Sequence, residues 1–184
     1  MEFKKRKFKL FILSGKARSG KDTVAKAIEN YYKDKKCITI SFGHYIKDYA
    51  KRISNWDGSE DTKPRELLQQ LGIELIKEKI DNKLFINRIL EDIEVFSYFY
   101  DIIIVDDARL LDEIVTLKGK YENSITIRVI RNDYDNGLTD NQKHHLTEMA
   151  LDNYNKFDYK IINNNDQNKL ISNVEAILIE VEHA

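Results

Sequence analysis

The apolar stretch Leu10 to Ser14 runs directly into Gly15-Lys16-Ala17-Arg18-Ser19-Gly20-Lys21-Asp22-Thr23, and a helical pattern begins at Lys21. Glycines at both ends of a six-residue span, then Lys, between a buried strand and a helix, form a phosphate-binding loop. The chemistry needs each part. Glycines let successive backbone N–H groups turn toward one anion, the helix N-terminus adds partial positive charge, and Lys21 reaches the terminal phosphates. The chain holds only seven glycines and one proline in 184 residues, so two glycines in this register carry weight. The expected nucleotide-binding residues are Gly15, Ser19, Gly20, Lys21, Asp22 and Thr23. The commonest form of the loop places a hydroxyl directly after the Lys. Here Asp22 stands there and the hydroxyl follows at Thr23. Asp22 can then hold magnesium through water while Thr23 bonds a phosphate.

Strand and helix patterns alternate along the rest of the chain. After the loop, Val24, Ile28 and Tyr31 share a helical face, flanked by Ala25 and Tyr32. Cys37 to Phe42 reads as a second strand, and His44 to Ile53 as a helix. Pro64 suits the first turn of a helix reaching about Ile80, with Leu67, Leu68, Leu71, Leu75 and Ile76 inward. Another helix carries Phe85, Ile89 and Ile93. Ile102 to Val105 is a continuous apolar strand ending in Asp106 and Asp107, and a helix covers about Leu110 to Lys118. Ser124 to Ile130 is a strand, Asn132 to Gln142 a polar loop, and His145 to Tyr154 a helix. Tyr159 to Ile162 and Asp166 to Val181 close the pattern as strand and helix. The alternation predicts an α/β three-layer sandwich around a five-stranded, mainly parallel sheet, as one domain over 1–184.

Composition excludes other classes. Lys plus Arg is 30 and Asp plus Glu 31, which argues against duplex nucleic acid or an anionic membrane as the main partner. One cysteine, Cys37, leaves no disulfide framework. The apolar runs are far shorter than the ~20 residues of a membrane span, and Leu10 to Leu13 is too short for an export signal, so a cytoplasmic location is expected. The basic run Lys4 to Lys9 reads as a solvated lead-in to the first strand. Arginines number eight among the 30 cations. In such a lysine-rich chain, Arg18, Arg65, Arg88, Arg109, Arg128 and Arg131 mark places where a planar fork is needed.

Beside a phosphate loop, an apolar strand ending in a carboxylate fits the magnesium-water position. Asp106 and Asp107 both qualify, and the sequence leaves open which one serves. Arg109 lies just beyond, near the carboxyl end of the sheet where ligands bind. Two rival readings fail. Asn155-Lys156-Phe157-Asp158 matches a guanine-reading motif, but it precedes a strand instead of ending one. His144 and His145 are adjacent, point different ways on a helix and have no nearby Cys, which speaks against zinc.

Several segments together resemble the P-loop deoxynucleoside monophosphate kinases of phages and bacteria, with animal-type phosphomevalonate kinases as more distant relatives. Gly15 to Thr23 is the closest match. Phe42 to Lys47, Pro64-Arg65-Glu66-Leu67-Leu68-Gln69, Arg109 to Glu113, and His145-Leu146-Thr147-Glu148 are similar to later motifs. Phe157 to Tyr159 leading to Asn163 and Asn164 is similar to the last strand and nucleotide-base loop. Two departures stand out. The single Asp of the family aligns with Asp107, whereas strand-end geometry favours Asp106. Leu110-Leu111 replaces a Phe-Pro pair.

The resemblance implies transfer of the ATP γ-phosphoryl group to a nucleoside monophosphate, with ATP and Mg2+ as cofactors. It implies Lys21, Arg18, Arg109 and Arg131 as catalytic residues, and Asn163 and Asn164 beside the nucleotide. Lys47, Arg65, Gln69, His145 and Glu148 become acceptor-binding residues, and Asp22, Asp106 and Asp107 metal-site residues. The segment from about 132 to 145 becomes a lid based on Arg131. The alternatives are a kinase of another phosphorylated metabolite, such as phosphomevalonate, and a nucleotide-binding switch without turnover. Small-molecule nucleotides are the expected partners. The oligomeric state stays open, a homodimer being one option.

Overall fold

The computed structural model describes residues 3–132, 134–164 and 166–183. Five strands form one sheet: β1 (Lys9–Ser14), β2 (Cys37–Ile40), β3 (Ile102–Ala108), β4 (Ile125–Ile130) and β5 (Tyr159–Ile162). Their order is β2-β3-β1-β4-β5, and every pairing is parallel. The phosphate loop therefore leaves the central strand, between β3 and β4.

Alternation along the strands feeds two apolar layers. Phe11, Leu13, Ile102 and Ile104 face one side, where α1 (Lys21–Tyr31) and α8 (Gln167–His183) pack. Leu10, Ile12, Ile103 and Val105 face the other, against α4 (Leu84–Phe96) and α5 (Leu111–Lys120). Burial on both faces explains why these strands read as continuous apolar runs. A smaller cluster of Ala50, Trp56 and Leu71 joins α2 (Phe42–Ser54) to the segment after it.

The remaining helices differ from the sequence pattern in three places. At the end of α1, Tyr32 is the buried tyrosine at 4% exposure, its ring tilted against Phe11, while Tyr31 is exposed. The helix after Pro64 is composite. α3 (Arg65–Gln69) passes into a π-helical stretch, Gln70–Ile80, whose end is marked by the Asp81 N–H donating to Ile76 O. The wider turn shifts the inward face to Leu71, Gly72, Ile73 and Ile76 and leaves Leu75 exposed. The expected helix from His145 to Tyr154 is only α7 (Leu146–Met149), preceded by the single turn α6 (Asp140–Lys143). Among the described residues no helix is long and apolar enough to cross a membrane.

Candidate active site

The loop that leaves β1 folds tightly for steric reasons. A Cβ on Gly15 would lie 2.4 Å from Ser19 Oγ and 2.6 Å from Val129 O. Gly20 has φ +105°, a region that L side chains rarely adopt, and caps the N-terminus of α1. Lys21 is 7% exposed, so it is not the solvent-facing side chain that a phosphate ligand suggests. Its ammonium donates to Gly15 O at 2.9 Å and Lys16 O at 3.0 Å. Burial, helped by the nearby Arg109 charge, brings its pKa down to about 8. Ser19 Oγ is buried and has no hydrogen-bond partner.

At the end of β3 the register with β1 breaks. Ile12 faces Val105, but Ser14 faces Ala108, so β3 carries one extra residue over the interval. In a regular strand Asp106 and Asp107 would point to opposite faces. The bulge re-aims them, and both line one cleft. Their partners differ. Both oxygens of Asp107 accept backbone N–H groups at the start of α2, from Phe42 and Gly43, each at 2.8 Å. Asp106 Oδ1 is buried without a partner. Burial, reinforced by the Asp107 charge, pushes the Asp106 carboxyl well above the ordinary carboxylate range. Among the described residues no three His, Cys, Asp or Glu side chains converge on a metal position. A lone unsatisfied carboxylate beside a phosphate loop suits magnesium, which keeps much of its water shell.

Arg109 is held from two sides. Glu113 Oε2 accepts the N–H groups of Arg109 and Leu110 at 2.7 and 2.9 Å, fixing the backbone turn into α5. The Arg109 guanidinium donates to Glu148 Oε1, while Glu148 Oε2 accepts from Ala17 N at 2.9 Å. Glu148, 6% exposed, thereby ties the phosphate loop to Arg109.

Glu113 is a buried acid, and burial raises its pKa to about 8 against the two backbone bonds. Its folded pKa exceeds the ~4.3 of a free glutamate, so the folded state binds the proton more tightly. Its contribution is complete below about pH 4 and is lost as pH rises through about 8. Glu113→Gln keeps an oxygen for both N–H groups and cannot ionise. Denaturation midpoints of this variant should lose that slope, which for one proton is at most ~1.4 kcal/mol per pH unit. An identical slope in both proteins would locate the pH dependence elsewhere.

These elements surround a cleft of about 690 Å³. Arg18, Ser19, Gly20, Lys21, Asp22 and Thr23 line its floor. Lys47 from α2, Arg65 and Gln69 from α3, and Asp106, Asp107, Arg109 and Glu148 join them from the expected set.

The profile of the phosphomevalonate kinase family matches residues 13–123, more than half of the 184. The chain belongs to that family. No curated protein sequence gives a significant match. Solved structures share the fold at low identity. The APS kinase of Mycobacterium tuberculosis, in complex with AMPPNP and APS, has a TM-score of 0.57 at 11% identity, covering 97% of this chain and 99% of that one. A sugar kinase from Janibacter sp. has a TM-score of 0.58 at 13% identity, covering 93% and 94%. Fold and family together make this a P-loop kinase.

In this member of the phosphomevalonate kinase family, four expected site residues stand elsewhere than expected. Arg131 does not line the cleft. It donates to Arg18 O at 3.1 Å, and its guanidinium lies 3.4 Å from the Tyr134 ring centre. His145 is outside the cleft lining and caps α7, its Nδ1 accepting from Thr147 N at 3.3 Å. Asn163 is 8% exposed and donates from Nδ2 to Ser19 O at 2.9 Å, so it fastens the phosphate loop. A Cβ on Gly20 would meet that amide at 2.6 Å. Asn164 is exposed and away from the cleft lining.

Sequence reasoning missed other residues. Lys63, Lys77 and Phe85 line the cleft, and Glu113 supports it. Lys63 sits in a loop read only as polar, and nothing in its spacing points inward. Glu113 had a usable signal, an acid three residues after Leu110 at a helix start, which is capping-box spacing. Within the expected lid, residues 132–145, the stretch around Asn136 and Leu138 lies against the floor: Arg18 Nη1 donates to Asn136 O at 3.0 Å, and Leu138 lines the cleft. Asp133 within it lies outside the described residues.

Proposed function

We propose that the protein transfers the γ-phosphoryl group of ATP to a phosphate monoester, and that a nucleoside monophosphate is the acceptor the site supports best. One observation carries the reading. Lys47, Lys63, Arg65 and Arg109 line the cleft together with the phosphate loop, and among the described residues no histidine lines it. An acceptor whose oxygen is already anionic needs no general base; it needs alignment and charge neutralisation. Phe85, Gln69 and Asn82 in the wall offer a ring face and two amides, the groups that recognise a heterocyclic base.

Asp106 and Asp22 are the residues that would hold Mg2+ through water. When bound, that ion neutralises charge on the donor phosphates. Lys21 binds the terminal phosphates, and Arg109, braced by Glu148, orients the transferred group. Residues 132–145 act as the lid that excludes water. Asp107 and Asn163 hold the frame. The small molecules are the partners of this reading, in the cytoplasm.

The family match favours a second acceptor, phosphomevalonate. A panel of nucleoside and deoxynucleoside monophosphates, phosphomevalonate and a no-acceptor control, read as ADP release, separates the two. ATP binding without release for any acceptor would leave a nucleotide-binding switch.

Arg109→Lys should cost activity although it keeps the charge. Lysine cannot span Glu148 and a phosphate with a flat fork. Turnover is expected to fall at least ~10-fold, or ~1.4 kcal/mol. A loss under about threefold would reduce Arg109 to a simple charge.

A further inference from the structure

The loop between α2 and α3 is held in place at the cleft mouth. Trp56, 8% exposed, is packed with Ala50 and Leu71 and donates from Nε1 to Ser59 O at 3.0 Å. Asp57 Oδ1 accepts from Ser59 N at 2.8 Å and from Thr62 Oγ1 at 3.2 Å. Gly58 has φ +95° and lies under the Lys51 side chain. This frame presents Glu60 to the cleft. Its Oε1 accepts from Lys63 Nζ at 2.6 Å, and its Oε2 lies 3.7 Å from Arg65 Nη2.

The surrounding charge is unbalanced. Lys63 has a side chain only 15% exposed, and it feels both Lys47 and Arg65. Burial and those two cations hold its pKa below the usual lysine range, against the pull of Glu60. Lys77, which also lines the cleft, is paired with Asp112. Two cations thus meet one carboxylate, with Lys47 lining the same cleft, and that carboxylate is 67% exposed at the side-chain level. An exposed carboxylate can swing into water at little cost, since solvent-exposed ion pairs contribute little.

We propose that Lys47, Lys63 and Arg65 form an oxyanion subsite for the phosphate of the acceptor, and that Glu60 is its internal occupant, displaced when the acceptor enters. The subsite rests on the kinase reading given above. A phosphate dianion matches the three cations of this wall better than one carboxylate does. Glu60 therefore shields the cations between turnovers and sets a threshold: an acceptor lacking a dianionic group gains too little to displace it.

Trp56 is the only tryptophan and belongs to the same loop, so its emission reports the subsite without catalysis. The probe is inorganic phosphate, titrated with the phosphate loop saturated by a non-hydrolysable ATP analogue and Mg2+. Glu60→Gln should tighten phosphate binding roughly three-fold, and Lys63→Gln should weaken it by a similar factor. Analogue affinity, measured separately, should stay the same in both variants. Equal phosphate affinity in wild type and both variants would overturn the subsite. So would a Glu60→Gln protein that loses thermal stability without binding phosphate more tightly, because Glu60 would then be an ordinary structural partner. Failure of the analogue to bind wild type would overturn the kinase reading instead, and the phosphate titration without analogue would still decide the subsite.

Discussion

Lys21→Ala should lower phosphoryl transfer at least ~100-fold while leaving the fold intact. The loss follows from position. Lys21 sits at the start of α1 with its ammonium beside Gly15 O and Lys16 O, where phosphate oxygens of a donor would replace those carbonyls as partners. The fold should survive because the charge is held at a cost. Burial has already lowered its pKa to about 8, so removing the ammonium also removes an unfavourable desolvation. The same shift fixes a pH effect. The charged form is present below about 8, so affinity for a triphosphate analogue should fall as pH rises through that value in wild type. Lys21→Ala should lack this limb. Turnover assays with isothermal titration of the analogue check both. A folded variant with a near-normal rate would remove the phosphate-loop assignment.

Asp106→Asn and Asp107→Asn should separate activity from stability. Asp106 Oδ1 has no partner in the protein, so its carboxylate is free for a hydrated cation. Asn in its place should lower turnover by about 100-fold and raise the magnesium concentration needed, with little loss of stability. Relief of burial and of repulsion from Asp107 should even make the variant as stable as wild type or more so at neutral pH. Asp107 uses both oxygens to hold Phe42 N and Gly43 N. Asn can accept only one of those bonds, so Asp107→Asn should cost stability, on the order of 1–3 kcal/mol. Magnesium titrations of activity and thermal midpoints check the pair. Equal small effects at both positions would make them ordinary loop acids.

The amino-acid sequence by itself determined the frame. Continuous apolar runs at Leu10–Leu13 and Ile102–Val105 demanded strands buried on both faces, and the spacing of Gly15, Gly20 and Lys21 placed a phosphate site at the end of one of them. Such features are local: period, glycine and charge act within a few residues, so they are legible without knowing the fold. The roles of the other site residues were not local. Which of two adjacent carboxylates stays free depended on a bulge in β3 and on the N-terminus of α2, more than sixty residues away. Asn163 turned inward to the phosphate loop because β4 and β5 bring it beside Ser19. His145 became a helix cap because the chain broke into short turns before α7. Lys63 entered the cleft because Trp56 anchors its loop. For Asp107 and Asn163 the deciding partner lies far off in sequence, and for His145 and Lys63 the packing of the surrounding segment decides which local contact forms. A buried polar group must find whatever donor or acceptor the packed elements bring to it, and only the tertiary structure determines which one that is.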